Sequence, residues 1–244
     1  MKGGENVSKN DGIDYIYLIW KEPGTRRNYI VGQLTKNSQY EFSYGHEVEE
    51  ATEKGFELLI PFDDINKVYK SDTLFPAFSS RLPDNKRRGI EKILSKYGLQ
   101  EYDEYKLIKR SGARLPIDSL EFIDPILGRH TGKIKRIFHI AGVRYYIGCE
   151  GDDCNIALHL EIGNKLKLDP DPKNQYDKNA IKIIDSTGNH VGYLPRYFSE
   201  SMTNILKEGA RYNCTVLEVN KENECNECVK VELEVYTDTG EINK

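Results

Sequence analysis

The sequence predicts an α+β protein with two domains: an N-terminal domain of mixed sheet and helix, and a C-terminal small, partly closed β-barrel with one helix. Three observations lead to this prediction. The chain has 244 residues, a length that suits two domains. Short segments that alternate apolar and polar residues, as strands do, occur in both halves. One long amphipathic helical segment stands among the strand segments of the second half.

The chain divides into four predicted parts. The boundary between the domains is placed at Gly128–Gly132, because Pro125 and Gly128 interrupt the pattern of secondary structure there. The parts are a flexible N-terminus over residues 1–12, a first domain with its connector over 13–128, a second domain over 129–237 and a tail over 238–244.

The first domain begins with three predicted strands and a short helix, after which the chain is expected to return to the sheet at Phe56–Pro61. Apolar residues at helical spacing then predict an amphipathic helix over residues 90–97, which ends at Gly98. The predicted strands cover residues 13–19, 29–34 and 40–44, and the short helix covers 47–54.

The second domain is predicted to consist mostly of strands. Pro195 opens a helix that runs to Lys207 and buries Phe198, Met202, Ile205 and Leu206. Short strands, one helix and a long closing hairpin are typical of a small, partly closed barrel. The predicted strands cover Lys135–Ile140, Ile156–Leu160, Ala180–Ile184, His190–Leu194, Arg211–Val219 and Cys228–Tyr236.

Composition excludes several classes of protein. Charged residues make up 30% of the chain and hydrophobic residues 38%, as in globular proteins that fold in water. No apolar run reaches the length of a membrane span, and residues 1–6 lack the apolar stretch of a signal peptide, so a cytoplasmic location is expected. The net charge of −4 means that any nucleic-acid site must be local, with few phosphate contacts.

Neither a metal nor a cofactor is expected. The five cysteines are scattered and odd in number, which indicates reduced thiols rather than disulfides. Cys225 and Cys228 have the spacing of zinc ligands, but no second pair of Cys or His lies at a matching interval nearby in the sequence.

The sequence does not predict an enzyme. The five histidines lie far apart, and none stands near a Cys or Ser in a recognisable nucleophile arrangement. The sequence also contains neither a Walker-type phosphate loop nor the Asp and Asn arrangement of a kinase catalytic loop. We therefore expect a binding protein.

Two segments beside predicted strand ends carry side chains that suit the end of a nucleic-acid strand. The first contributes Arg144, Tyr145 and Tyr146, and the second contributes Tyr176 and Asp177. Arginine offers a phosphate a planar fork of donors, and tyrosine offers a base a flat ring on which to stack. Aspartate can accept a hydrogen bond from a sugar hydroxyl. If the first segment is a strand, Tyr145 and Tyr146 point to opposite faces.

A further pair, Tyr193 and Arg196, lies at the predicted junction of a strand with the helix. Arg196 and the backbone N–H groups of the helix start can receive a phosphate there. A purely structural interpretation stays open for these candidates. Arg144 is then a surface charge, and Tyr176 and Asp177 belong to an ordinary turn.

Three ordered blocks of residues resemble a known family. They are Gly142–Gly148, Asp171–Ile181 and Val191–Leu194, and in order and content they are similar to the HIRAN domain, best known as an appendage of fork-remodelling helicases. The resemblance covers residues 133–237. It implies an OB-like barrel that binds single-stranded DNA and recognises its 3′-hydroxyl end.

The resemblance also implies roles for individual residues. Tyr176 stacks on the terminal base, while Asp177 receives the free 3′-hydroxyl and repels a 3′-phosphate. Of the two neighbouring tyrosines, Tyr145 stacks on a base and Tyr146 lies in the core. The implied DNA-binding residues are Arg144, Tyr145, Asn174, Tyr176, Asp177, Tyr193 and Arg196.

Residues 13–98 resemble the small N-terminal subdomain of HipA-type kinases. The similarity is carried by Val31–Leu34, Phe42–Tyr44, Leu74–Phe78 and Leu82–Arg87, and it does not bring the kinase chemistry with it. It implies a module that binds a protein partner. The alternative function is therefore a regulatory, antitoxin-like or phage-defence protein that pairs with a HipA-type kinase core on another chain, without significant DNA binding.

A basic cluster lies within this first domain, at Arg81, Lys86, Arg87 and Arg88. One interpretation is a solvated loop. The other is a second contact for a nucleic-acid backbone or for an acidic partner surface.

Overall fold

The computed structural model describes residues 14–127, 132–146, 160–220 and 227–237. Within it the chain forms two units that divide between Asp124 and Pro125, with the loop Pro23–Arg27 grouped with the second unit. The predicted flexible N-terminus, the predicted tail, most of the predicted strand Ile156–Leu160 and Cys225 lie outside the described residues.

The first unit contains an antiparallel five-stranded sheet with the strand order β4-β3-β2-β1-β5. The three strands predicted at its start are confirmed, but the predicted return to the sheet at Phe56–Pro61 is wrong. The chain turns there instead, with the Phe62 N–H donating to the Leu59 carbonyl (2.7 Å). The strands are β1 Asp14–Lys21, β2 Asn28–Lys36, β3 Tyr40–Tyr44, β4 Tyr69–Ser71 and β5 Leu120–Ile123.

Short helices cover this sheet, and their ends follow from local chemistry. Asp103 caps α4 because its side chain accepts a hydrogen bond from the Lys106 N–H (2.9 Å). Gly98 (φ 65°) and Gly112 (φ 73°) adopt the left-handed conformation after α3 and α4, where glycine is favoured. The helices are α1 Val48–Glu53, α2 Pro76–Ser79, α3 Ile90–Lys96 and α4 Glu104–Ser111.

Aromatic rings fill the core of the first unit. The Phe42 ring centroid lies 4.5 Å from that of Phe62, 5.1 Å from that of Phe78 and 5.3 Å from that of Tyr44. Phe42, Phe62 and Phe78 are all fully buried. Edge-to-face and tilted ring pairs of this kind stabilise a core beyond the area that they bury.

The second unit contains an antiparallel six-stranded sheet with the strand order β6-β11-β10-β7-β8-β9. Strand β7 was not predicted, because its Lys and Asp residues hide the alternation of Leu166 and Leu168 toward the core. The elements are β6 Gly132–His139, α5 Val143–Tyr146, β7 Lys165–Pro170, β8 Ile181–Ile184, β9 His190–Tyr193, α6 Arg196–Lys207, β10 Arg211–Val219 and β11 Val229–Thr237.

The predicted OB-like barrel is not confirmed. The described strands form an open sheet whose two edge strands are β6 and β9. These edges approach through one isolated bridge, in which Ala141 and Tyr193 exchange hydrogen bonds of 2.9 and 2.8 Å. Two hydrogen bonds do not make a closing ladder, so the described part of the second unit is an open sheet that is bridged at one point.

Helix α6 packs its apolar face into the core of the second unit, as predicted. Phe198, Met202 and Ile205 are buried, whereas Leu206, also predicted to be buried, is only half-buried. The Phe198 ring lies 5.6 Å from the ring of Phe138 on β6. The rest of this core is mainly aliphatic. None of the helices in the described ranges combines the length and the apolar character that a membrane crossing requires.

Candidate nucleic-acid interface

The first candidate segment, Val143–Tyr146, is a single helical turn and not a strand. Gly142 (φ 70°) turns the chain away from the sheet directly after the bridge at Ala141, and its carbonyl accepts a hydrogen bond from the Tyr145 N–H (3.0 Å). The expectation that Tyr145 and Tyr146 point to opposite faces of a strand is therefore wrong.

Both tyrosines of this turn reach solvent. Tyr145 is 74% exposed and Tyr146 is 43% exposed, so the placement of Tyr146 in the core is also wrong. Val143 is the buried residue that anchors the turn. The Arg144 guanidinium lies over the Tyr145 ring, 5.1 Å from its centroid, which holds a cation against one face of an exposed aromatic ring.

Gly192 allows this turn to lie against β9. A Cβ atom at Gly192 would lie 2.6 Å from Cγ2 of Ile140 and 2.7 Å from the Ala141 carbonyl oxygen. Only a residue without a side chain tolerates that approach. The glycine of the Val191–Leu194 block thus has a packing function, because it lets Ala141 reach Tyr193.

The second candidate segment is a loop between β7 and β8 whose backbone is fixed by its own side chains. The Asp171 N–H donates to the Ala180 carbonyl (2.7 Å), which closes the base of the loop. The Asn174 side-chain oxygen accepts hydrogen bonds from the N–H groups of Tyr176 (2.9 Å) and Asp177 (3.2 Å). Asn174 therefore positions the loop.

Asp177 combines a turn function with a free oxygen. Its Oδ1 accepts a hydrogen bond from the Asn179 N–H (2.8 Å), which is the turn arrangement of the structural interpretation. Among the described residues its Oδ2 has no hydrogen-bond partner. One carboxylate oxygen thus holds the loop while the other can accept a donor from outside the protein.

Tyr176 projects from this fixed loop. Its side chain is 85% exposed, although its backbone is held on both sides. Its carbonyl accepts a hydrogen bond from the Arg196 guanidinium (3.2 Å), which ties the loop to the first residue of α6. Arg196, itself exposed, lies beside Tyr176 at the helix start.

Tyr193 and Asp171 link the loop to β9. The Tyr193 hydroxyl donates to Oδ2 of Asp171 (2.9 Å), and Lys182 forms an ion pair with Oδ1 (3.3 Å). The hydrogen bond from Tyr193, together with Lys182 and Asn174, holds the pKa of Asp171 below its usual value. Burial and the neighbouring carboxylate raise the pKa of Tyr193, so its hydroxyl stays protonated and continues to donate.

His190 completes the site and was missed by sequence reasoning. Its ring lies 3.9 Å from the Tyr146 ring and 4.8 Å from the Tyr193 ring, and its Nε2–H donates to the Gly192 carbonyl (3.0 Å). Burial lowers the pKa of His190. The pairing of β8 with β9 shifts register at Val191, and such a bulge brings His190 and Tyr193 to one side. The only signal for it in the sequence is the glycine inside the strand.

The described contacts bring most of the predicted residues into one connected set. Tyr146 packs on Tyr193, whose hydroxyl binds Asp171, and the loop that Asp171 closes carries the remaining side chains. The residues on this loop or bound to it are Asn174, Tyr176, Asp177 and Arg196. Arg144 and Tyr145 share the turn of Tyr146, and within the described ranges they contact each other rather than the loop.

The basic cluster of the first unit separates into two kinds of cation. Arg81 is used internally: its guanidinium binds both carboxylate oxygens of Asp118 (2.5 and 2.9 Å) and the Ala113 and Leu120 carbonyls, and its side chain is only 7% exposed. The prediction of Arg81 as a surface contact is therefore wrong. The remaining members, Lys86, Arg87 and Arg88, are exposed.

The described residues contain no group of three or more His, Cys, Asp and Glu side chains placed to hold a metal ion. Cys228 is buried at the start of the last strand. Its proposed partner, Cys225, lies outside the described residues.

Comparison with known proteins identifies two family matches. The model of the HipA N-terminal domain matches residues 26–116, and that of the HIRAN domain matches residues 136–237. Among curated proteins, the helicase-like transcription factors of Oryctolagus cuniculus and Homo sapiens are 37% and 35% identical over 68 residues. The matched segment is 28% of this chain and 6% of each relative, so the chain corresponds to a small part of their length.

Solved structures give three further similarities, each covering 43% of this chain. The HIRAN domain of human HLTF is 26% identical, with 77% of that chain covered and a TM-score of 0.31. The HLTF HIRAN domain in its DNA-bound conformation is 24% identical, with 73% covered and a TM-score of 0.29. A protein from Lactobacillus plantarum is 22% identical, with 97% covered and a TM-score of 0.34.

The two family matches follow one another along the chain without overlap. The chain thus carries a HipA N-terminal domain followed by a HIRAN domain.

Proposed function

We propose that the HIRAN domain of this chain binds single-stranded DNA and recognises its 3′-hydroxyl end, and that the chain acts by binding rather than by catalysis. Similarity to the HIRAN domain of HLTF, for which a DNA-bound conformation is described, supports DNA as the ligand. The loop that carries Tyr176 and Asp177 supports the choice of a strand end over a continuous strand.

The observation that carries the proposal is the exposure of Tyr176 on a rigid loop. A tyrosine ring that is 85% exposed contributes little to the core, yet Asn174 and Arg196 hold its backbone in place. Because the backbone is already held, the loop loses little conformational entropy when a base stacks on the ring. Base–aromatic stacking is worth about 1–3 kcal/mol and accepts any base.

Asp177 supplies the selectivity for the end in this proposal. Its Oδ2 can accept a hydrogen bond from a terminal 3′-hydroxyl while Oδ1 stays bound to the Asn179 N–H. A 3′-phosphate or a continuing strand places negative charge against the same carboxylate, which repels it. The site therefore favours a free hydroxyl over a phosphorylated end.

Phosphate contacts in this site are few. The proposed phosphate contacts are Arg196, which binds the Tyr176 carbonyl, and Arg144, which lies over the Tyr145 ring. The chain as a whole has a net charge of −4. With about two phosphates neutralised, the logarithm of the affinity should fall with the logarithm of salt concentration by a slope of only about 1–2.

Fluorescence anisotropy with a labelled oligonucleotide tests the proposal directly. We expect the 3′-hydroxyl form to bind more tightly than the same oligonucleotide with a 3′-phosphate. Replacement of Asp177 by Asn should reduce this preference, because the charge that repels the phosphate is removed. Equal affinity of the wild-type chain for both oligonucleotides would contradict recognition of the end.

A second variant tests the stacking contact. Tyr176→Ala should weaken binding of the 3′-hydroxyl oligonucleotide by about 1–3 kcal/mol, which is about 5- to 150-fold. Ile162→Ala is the matched control, because Ile162 is another large side chain of the same domain that is 72% exposed. A loss of the same size in both variants would remove Tyr176 from the proposed site.

For the first domain, we propose a role as an interaction module. The match of residues 26–116 to the HipA N-terminal domain favours a kinase-core chain as the partner. Co-purification of the tagged chain with such a kinase, lost on deletion of residues 26–116, is the expected result. A chain that stays monomeric at high concentration and retains no partner would argue against this role.

A further inference from the structure

One exposed loop of the HipA N-terminal domain carries three positive side chains that form no ion pair with the described part of the fold. The loop Pro83–Gly89, called the basic loop below, presents Lys86, Arg87 and Arg88 in succession against the single carboxylate of Asp84. All three cationic side chains are exposed. Within the described ranges, none of the three makes an ion pair or a side-chain hydrogen bond.

Other cations of the same domain behave differently. Lys70 binds Glu41 (2.7 Å), Lys109 binds Asp14 (2.6 Å), and Arg110 donates to the carbonyls of Tyr97 and Gly98 (2.7 and 2.6 Å). Arg81, just before the basic loop, is held by Asp118. Within the described residues of the domain, the basic loop is thus the one place where three consecutive cations lack such partners.

The basic loop has a defined backbone. Asp84 accepts hydrogen bonds from the N–H groups of Lys86 (2.6 Å, to its side chain) and Arg87 (3.0 Å, to its carbonyl). The Tyr102 hydroxyl donates to the Pro83 carbonyl (2.8 Å), and the Arg87 carbonyl accepts from the Ile90 N–H at the start of α3 (3.1 Å). The three side chains thus extend from a fixed base, so a ligand need not order the loop.

Three adjacent like charges without partners repel one another, and they gain most from a ligand that brings several negative charges at regular spacing. Two of them are guanidinium groups, whose planar forks match phosphate oxygens. A nucleic-acid backbone is such a ligand, and its binding releases condensed counterions.

We propose that the basic loop binds backbone phosphates of single-stranded DNA as a second, sequence-independent contact. This inference rests on the proposed function, because that function supplies single-stranded DNA as the ligand of the chain. It adds a contact in the HipA N-terminal domain, for which no nucleic-acid role follows from the family match. Such a contact would give this acidic chain a local attraction for a long polyanion.

The test compares a short 3′-hydroxyl oligonucleotide of about three nucleotides with a long one of about thirty, in the full chain. For wild type we expect tighter binding of the long strand. The combined variant Lys86→Ala, Arg87→Ala, Arg88→Ala should lose about tenfold in affinity for the long strand, with a salt slope smaller by about 2, while the short strand binds as before. The control replaces with Ala three other exposed cations of the domain that also make no ion pair within the described ranges, Lys54, Lys92 and Arg114.

The outcomes separate the two proposals. Unchanged binding of the long strand by the basic-loop variant, or an equal loss in the control, overturns the role of the basic loop even if end selectivity persists. If the basic-loop variant loses affinity for the long strand as expected, but wild type binds the 3′-hydroxyl and 3′-phosphate forms equally, end recognition is overturned and the role of the basic loop stands. Loss of a co-purifying protein partner from the basic-loop variant, with DNA binding intact, assigns the loop to an acidic protein surface and overturns the DNA role.

Discussion

The two domains place their aromatic residues differently. In the HipA N-terminal domain, Phe42, Phe62 and Phe78 are fully buried and touch one another. In the HIRAN domain, Tyr145 and Tyr176 are mostly exposed, although Phe198 is buried. Rings therefore dominate the core of the first domain, whereas the HIRAN domain also places rings on its surface.

The difference follows from what fills each core. In the HIRAN domain most of the core is aliphatic, with Ile183, Val231 and Leu233 completely buried, so that few rings are needed inside. An exposed ring that the core does not require is available to a ligand, and stacking on a base uses it fully. Exposure, and not residue type, separates structural aromatics from candidate functional ones.

Truncation of a buried ring should have the largest effect. Phe42→Ala should reduce the free energy of unfolding of the first domain by about 3–5 kcal/mol, because it removes the ring at the centre of the aromatic cluster. Urea denaturation followed by intrinsic fluorescence measures this. Ile60→Ala, at a side chain that is 96% exposed, should change stability by less than about 0.5 kcal/mol. Similar losses in both variants would contradict the assignment of the core.

A pair of glycines gives the next largest effect and a sharper contrast. A Cβ at Gly32 would meet the buried Phe42 ring at 2.6 Å, and a Cβ at Gly192 would meet Cγ2 of Ile140 at the same distance. Gly32→Ala and Gly192→Ala should each destabilise by about 1–3 kcal/mol through overpacking. Only Gly192→Ala should also weaken DNA binding, because it displaces Tyr193.

Denaturation and anisotropy on the same preparations separate these two effects. Loss of DNA binding in Gly32→Ala, at a temperature where both variants are folded, would contradict the prediction that only Gly192→Ala weakens DNA binding.

The smallest expected effect is a dependence of stability on pH. Burial lowers the pKa of His190 below its usual value of 6.5, so between these two pKa values the unfolded chain binds more protons than the folded chain. The contribution of neutral His190 to stability is therefore complete above pH 6.5 and is lost as the pH falls toward the folded pKa. His190→Gln should flatten the fall in unfolding free energy between about pH 7 and pH 5.

Denaturation curves across this pH range provide the measurement. His46→Gln, at an exposed position of the first domain, is the matched control. A pH dependence that His190→Gln leaves as steep as in wild type would contradict the burial of His190 in the cluster with Tyr146 and Tyr193.

The sequence by itself determined the order of the two family domains and most of the elements. Alternation of apolar and polar residues indicates strands such as Tyr40–Tyr44 and Val229–Thr237, and an apolar face with an opening proline indicates α6. It also identified Tyr176, Asp177 and Asn174 as candidate site residues, because turn chemistry and the family pattern are both local in sequence.

Only the tertiary structure decided which side chains meet. The turn at Gly142 reversed the assignment of Tyr146, the bulge at Val191 brought in His190, and Asp118, far along the chain, took Arg81 away from the surface. Alternation along the chain reports which face a residue takes within a regular strand. A bulge, a positive φ or a partner remote in sequence changes that face, and each of these is set by packing between elements that local sequence does not record.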